Sequence, residues 1–238
     1  MNATVRETAR ARIQRVADDL HHVRKHLVFI GGSVLPLLVD VDQRFDTPRV
    51  TKDVDAVSAA ATYTRSHEIE DAIRGAKYQN DTGSRNMRRF IAPSGEIFDL
   101  SFAGDYAGAT GALVDKMAIA TAIQMEGRPD IRHLSPTGLF LMKVAAFRDR
   151  GEAAPAESRD LSDIAVLLIG ADVEADLRNR TDDVRAEVAK SAQRLASLPA
   201  LRSALLGHFR DRAPIPPDTP ESLTEQARRV IHALCTVE

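Results

Sequence analysis

Cysteine is almost missing from this chain. Cys235 is the only one in 238 residues, so no intrachain disulfide forms and no zinc framework is spelled out. A lone thiol suits a reducing compartment. Long apolar runs are missing too: no stretch is long enough to span a bilayer, and the opening MNATVRETARARIQRV has no continuous hydrophobic segment of the signal-peptide kind. The expectation is a cytoplasmic protein with no membrane contact. Excess charge is also absent. Thirty-two Lys and Arg against 34 Asp and Glu leave a formal net charge of −2. Global charge therefore does not advertise nucleic acid, and any such contact has to come from a local basic patch. No internal repeat or low-complexity tract interrupts the chain. What remains has the composition of an ordinary globular protein, with length for one large domain or two small ones.

The periodicities divide the chain into a mixed first half and a helical second half. Ile13, Val16, Leu20 and Val23 recur at helical spacing and predict a helix over 5–26. The run 27-LVFI-30 reads as a strand stopped by Gly31-Gly32. Ser33 is placed as the N-cap of a helix over 34–40, with Pro36 tolerated in its first turn. Residues 41–49 read as a polar loop, with Asp40 and Asp42 solvated, and 50-VTKDVDAV-57 returns to strand. An amphipathic helix follows over 66–78 through Ile69, Ile73 and Ala76. Pro93-Ser94-Gly95 joins 87-MRRFIA-92 to 96-EIFDLSF-102 as a hairpin. The alanine-rich 112–134 is ambiguous and partly helical, closing on the short run 131-IRHL-134. Ser135 as N-cap, Pro136 as first helical residue and Gly151 as stop bracket a further helix. From 158 onward everything reads as helix, apart from the proline-rich connector 213–222. The expected fold class is α+β, with a domain over 1–134 and a helical domain over 135–238.

Side chains alternate faces along a strand, so Asp53 and Asp55 project the same way while Val54 and Ala56 project the other. Two carboxylates held this close repel, and a divalent cation is the usual resolution, since Mg²⁺ favours carboxylate oxygens. Asp99 alternates against Phe98 and Leu100 in its own strand and becomes a third ligand if that strand lies beside 50–57. Glycines between a strand and a helix let backbone amides approach a phosphate. A phosphate cradle plus three carboxylates is the equipment of metal-assisted phosphoryl or nucleotidyl transfer. Singly, each signal has a plainer reading: Asp-x-Asp as a solvated edge, Gly-Gly as a tight turn. The order strand, Gly-Gly-Ser, helix, Asp-x-Asp strand, third Asp strand is far more specific.

That order resembles the nucleotidyltransferase superfamily fold of the polymerase β-like enzymes, a mixed sheet flanked by helices. More closely, the chain resembles the AbiEii/AbiGii-type nucleotidyltransferases, which include toxins of toxin–antitoxin pairs and MenT-like tRNA-modifying toxins. The likeness rests on 28-VFIGGSVLPLL-38, 49-RVTKDVDAV-57, 97-IFDLSF-102, 134-LSPTGLFLMKVAAFRDRG-151 and 158-SRDLSDIAVLL-168. Residues 34–52 make a longer spacer than the superfamily usually has, and the loop 39–49 is expected to absorb the extra length. The resemblance implies that Asp53, Asp55 and Asp99 bind Mg²⁺ or Mn²⁺, and that Gly31, Gly32 and Ser33 hold the phosphates of an NTP. It matches Arg49 and Thr51 to a recurring Arg-x-Thr-x-Asp pattern, with Arg49 a phosphate ligand and Thr51 a good strand residue. It gives Lys143 and Asp160 active-site roles, Lys143 on the triphosphate and Asp160 orienting it.

Read from the residues alone, Lys143 sits in an apolar helical stripe among Leu139, Phe140 and Phe147 and either snorkels to water or needs a counter-charge, for which Asp160 and Asp163 are available. Arg148 and Arg150 read as solvated helix-end residues. His22 and His26, at i and i+4, read as surface histidines. Arg85, Arg88 and Arg89 read as a solvated hairpin face, or as the place where an acceptor RNA lies. The function expected is transfer of NMP from an NTP to a hydroxyl of a tRNA 3′ end, a protein or a small molecule. The protein is then the toxin-like half of a pair with a cognate antitoxin, and the acceptor lies across the seam where 135–238 completes the cleft. The alternative is a catalytically inactive module, binding nucleotide or a partner, that keeps the same fold.

Overall fold

Thr4 and Glu7 start the first helix by a reciprocal capping box, each side chain bonding the other's backbone N–H, and helix α1 runs Val5–Asp19. The computed structural model describes residues 4–46, 51–58, 63–84, 86–103 and 108–237. These fall into two compact units, Met1–Leu37 with Val50–Leu134, and Leu38–Arg49 with Ser135–Glu238. Helix α1 is shorter than its periodicity predicts. Asp18 and Asp19 close it where the dipole disfavours anions, no basic residue lies in its last turn, and the chain passes through a 3₁₀ turn at Arg24–His26. Leu20 and Val23 stay buried all the same. His22 and His26 therefore do not share a helix face, and His22 is exposed.

The first unit is built on a seven-stranded mixed sheet in the order Gln79–Asn80 (β3), Arg89–Ile91 (β4), Ile97–Phe102 (β5), Asp53–Ser58 (β2), Leu27–Ile30 (β1), Arg128–His133 (β7) and Ile123–Met125 (β6). Strand β1 (Leu27–Ile30) is followed by helix α2 (Leu35–Leu38), strand β2 (Asp53–Ser58), helix α3 (Tyr63–Gly75) and the short edge strand β3 (Gln79–Asn80). Strands β4 (Arg89–Ile91) and β5 (Ile97–Phe102) form the expected antiparallel hairpin, with Gly95 left-handed in its turn. Helix α4 (Gly108–Ala120) leads into a second hairpin, β6 (Ile123–Met125) and β7 (Arg128–His133), which the alanine-rich reading of 112–134 does not anticipate. The central strand β2 runs antiparallel to β1 and parallel to β5. Its Val54 and Ala56 are fully buried on the face shared with Phe98 and Leu100. Each large apolar side chain so covered contributes about 1.5–3 kcal/mol of burial.

The second unit is helical: α5 (Pro136–Arg150), α6 (Arg159–Gly170), α7 (Val173–Arg178), α8 (Asp182–Ala196), α9 (Leu201–Asp211) and α10 (Pro220–Leu234). Ser135 caps α5 by accepting from the Gly138 N–H, with Pro136 in its first turn, as the sequence predicts. Helix α5 packs on α6, and α10 lies against α6, α8 and α9. The segment 38–46 is not a solvated loop. Val41 and Phe45 are buried, Phe45 stacks near Phe209, and Arg44 donates to the Ile169 carbonyl at 2.9 Å. Val39 lies so close to Gly170 that a Cβ there would come within 3.0 Å of its Cγ2. The extra length before Asp53 thus contributes core to the helical unit.

Candidate active site

The sheet aligns one row of residues across four neighbouring strands. Arg89 of β4 pairs with Asp99 of β5, Asp99 pairs with Asp55 of β2, and Asp55 pairs with Ile30 of β1. Paired residues share a face, so Arg89, Asp99 and Asp55 project together, and Asp53 joins them from two residues back along β2. Carboxylate oxygens of Asp53, Asp55 and Asp99 all lie within 4.8 Å of one another. Among the described residues this is the only group of three or more His, Cys, Asp or Glu side chains placed to share a cation. Asp99 is 8% exposed, whereas Asp53 and Asp55 are half-buried.

The glycine turn touches this group directly. Gly31 follows β1 with φ +76°, a conformation that other residues adopt at a cost. A Cβ at Gly31 would overlap the Asp55 carboxylate oxygen and stand 2.8 Å from its Cγ. Position 31 thus leaves room for a carboxylate as well as making a turn. Ser33 does not cap the following helix: its buried hydroxyl donates to the Ile30 carbonyl at 3.2 Å. Helix α2 has only four residues, so its dipole is slight, and the turn before it is made by Gly32 and Ser33. They border a small recess lined also by Thr8, Arg12, Pro36 and Thr51.

Thr51 lies outside β2, and its hydroxyl donates to Asp53 Oδ1 at 2.8 Å. Thr51 is thus not the strand residue its β-propensity suggests, and its hydroxyl contacts the first aspartate of the strand instead. Arg12 of α1, which the sequence does not single out, donates to the Thr51 carbonyl at 2.6 Å, to the Lys52 carbonyl, and to Glu96 at 2.7 Å. It ties the residues just before β2 to the residue just before β5, where Asp53 pairs with Ile97.

Arg89 is not solvated. Its Nε donates to Asp99 Oδ1 at 2.8 Å, and its Nη2 donates to Asp99 Oδ2 at 2.6 Å and Asp53 Oδ2 at 3.0 Å. The hydrogen bonds to Asp99 hold its pKa above the usual arginine range, with partial burial opposing them and the charges of Asp99, Asp53 and Asp55 adding to the rise. The sequence holds a signal for this: Arg89 and Asp99 are equidistant from Ser94 in the hairpin turn. Its neighbour Arg88 lies over the Phe102 ring at 4.7 Å. Arg49 and Arg85 lie outside the described residues.

Lys143 and Asp160 belong to the helical unit. The Lys143 ammonium is buried, 3.1 Å from Asp160 Oδ1 and 2.7 Å from Asp163 Oδ2. Burial alone would lower its pKa, but Asp163 and Asp160 more than offset that and raise it. Asp160 is also held by Arg150, whose Nε donates at 2.8 Å; Arg150 is thus a partner rather than a free helix-end charge. Burial pushes the Asp160 pKa up, while Arg150 and Lys143 prevail and bring it below the ordinary carboxylate range. Arg212 donates to Ser162 and lies 3.5 Å from Asp163, completing a buried charged cluster.

The row Arg89–Asp99–Asp55 thus lies beside a left-handed glycine turn. A family model described as nucleotidyl transferase AbiEii toxin, type IV TA system, matches residues 16–229. The chain belongs to the AbiEii nucleotidyltransferase toxin family. No curated protein and no solved structure matches it. The AbiEii match spans both units and is a nucleotidyltransferase assignment, a class that works on NTPs with a divalent metal. The three carboxylates fit such an ion: the donor set is all oxygen, and one oxygen from each lies within 4.8 Å of the others. No helix among the described residues is long and apolar enough to cross a membrane.

Proposed function

We propose that this AbiEii-family chain transfers NMP from an NTP to a hydroxyl acceptor, with Asp53, Asp55 and Asp99 as its metal-binding carboxylates and Mg²⁺ as the ion. The observation that carries the reading is the convergence of those three side chains, from two parallel strands, on the face that Gly31 leaves open. A bound divalent ion would neutralise the triphosphate and lower the pKa of the attacking hydroxyl. The chain's own residues set the rest. Asp53 and Asp55 hold the ion, and Thr51 and Arg12 fix Asp53 through its Oδ1 and the backbone before it. Asp99 completes the metal site and helps activate the acceptor hydroxyl. Gly32 and Ser33 offer backbone amides to the phosphates, and Lys143 with Asp160 takes the triphosphate-handling role implied by the family resemblance. In the reaction the acceptor hydroxyl gives its proton to Asp99, its oxygen bonds the α-phosphorus, the bond from that phosphorus to the α–β bridging oxygen breaks, and pyrophosphate leaves. The acceptor is a tRNA 3′ end, a protein hydroxyl or a small molecule, and the partner is a cognate antitoxin, in keeping with a type IV family.

One observation favours a second reading. Arg89 already neutralises part of the triad, as it would in a module that keeps the fold and binds nucleotide without chemistry. A single experiment separates the two: incubate the protein and Mg²⁺ with each labelled NTP, total tRNA and a cell lysate. Label in tRNA, protein or a small molecule supports transfer, and Asp55→Ala is expected to lower it by about 10³-fold. No label in any fraction, with nucleotide still binding, supports the inactive module.

A further inference from the structure

Arg89 is the part of the site that the proposed chemistry leaves unexplained. Four oxygens of two triad members are already engaged. Asp53 Oδ1 accepts from Thr51, and Asp53 Oδ2 with both oxygens of Asp99 accept from the one guanidinium. This is a fork bridging two carboxylates on adjacent strands, with Arg89 itself seated opposite Asp99 in the register of the hairpin. Its side chain is 28% exposed, so it can leave toward water without unfolding a core. Three carboxylates and one guanidinium sum to −2, the charge that a single divalent ion balances. Without the guanidinium the three carboxylates carry one more uncompensated negative charge and attract a cation more strongly. A divalent ion drawing on Asp53 and Asp99 therefore approaches oxygens that Arg89 holds and a positive charge that repels it.

Resting on the metal-binding reading above, we propose that Arg89 is the triad's built-in cation. It holds Asp53 and Asp99 in the absence of metal and is displaced from Asp99 when a divalent ion binds, so that metal loading and Arg89 release are one event. Arg89 is then a gatekeeper of the site: it keeps three close carboxylates folded without an ion and sets the divalent concentration at which the site fills. Linkage makes the competition reciprocal: the ion loosens the guanidinium's hold on the carboxylates by the factor by which that hold weakens the ion.

The test is Mn²⁺ binding to the full chain, followed by electron paramagnetic resonance, for the wild type, Arg89→Gln and Arg89→Lys. Arg89→Gln is expected to bind Mn²⁺ about tenfold more tightly, within the usual range of coupling between two ligands. Arg89→Lys, which keeps the charge but loses the fork on Asp99 and Asp53, is expected to fall between the wild type and Arg89→Gln. A second reading needs no variant protein: in the ¹⁵N-labelled wild type, Mg²⁺ is expected to shift the protected Arg89 Nε–Hε signal and speed its exchange with water. Mn²⁺ binding unchanged or weakened in Arg89→Gln, or an Nε–Hε signal indifferent to saturating Mg²⁺, overturns the competition while leaving the metal site standing. Failure of both wild type and Arg89→Gln to bind Mn²⁺ overturns the metal reading itself.

Discussion

Gly31 shows how one residue couples the turn to the triad. Its positive φ disfavours any side chain by about 1–2 kcal/mol, and its missing Cβ is the space that the Asp55 carboxylate fills. Gly31→Ala is therefore expected to lower the melting temperature and, more tellingly, to weaken Mn²⁺ binding, because Asp55 has to rotate away. A thermal scan with a Mn²⁺ titration checks both; a variant that melts lower yet binds Mn²⁺ like the wild type would place Asp55 outside the ligand set. At this scale the carboxylates were legible in the sequence because a strand's period of two puts Asp53 and Asp55 on one face whatever surrounds it. Gly31's contact with Asp55 was not, since nothing local says which strand lies beside β1. Arg89 is legible only in part: the Pro93–Gly95 turn is a strong local signal, but the register that seats Arg89 opposite Asp99 depends on where in that turn the hairpin reverses.

At the scale of elements, the site is a product of strand order. Because β2 lies between β1 and β5, one carboxylate row meets both the glycine turn and the third aspartate. Parallel pairing of β2 with β5 needs a crossover, here including α3 and the β3–β4 segment, and no local pattern in the sequence specifies that neighbour. The parts with strong local chemistry were readable: the Ser135–Pro136 start of α5 and the Pro93–Gly95 hairpin. The β6–β7 hairpin was not, because its turn at Glu126–Gly127 is brief and follows an alanine-rich helix. The helical unit carries its own element-scale test. Lys143 joins α5 to Asp160 and Asp163 of α6, and breaking a buried pair of this kind costs about 3–5 kcal/mol. The Asp160 pKa is lowered by folding, so its contribution is present above the unfolded carboxylate value, about 4, and is lost as pH falls through the folded one. Asp160→Asn is accordingly expected to melt well below the wild type at neutral pH, with the gap closing in acid. A gap that stays constant down to about pH 2 would mean the charge at Asp160 is not what stabilises α5 against α6.

For the molecule as a whole, family membership and site geometry address different questions. The AbiEii match establishes a nucleotidyltransferase lineage over residues 16–229. The geometry brings Asp53, Asp55 and Asp99 together, the carboxylates proposed for such chemistry, with Arg89 hydrogen-bonded to two of them. Near-neutral overall charge leaves recognition of the acceptor to local surface, so the acceptor has to be found by labelling rather than by electrostatics. The most direct test of the central claim is anomalous diffraction at the manganese edge from crystals soaked in Mn²⁺ with a non-hydrolysable NTP. The account predicts an anomalous peak coordinated by Asp53 and Asp55 and bridging to the nucleotide's phosphates; a nucleotide bound with no manganese at those carboxylates would contradict it.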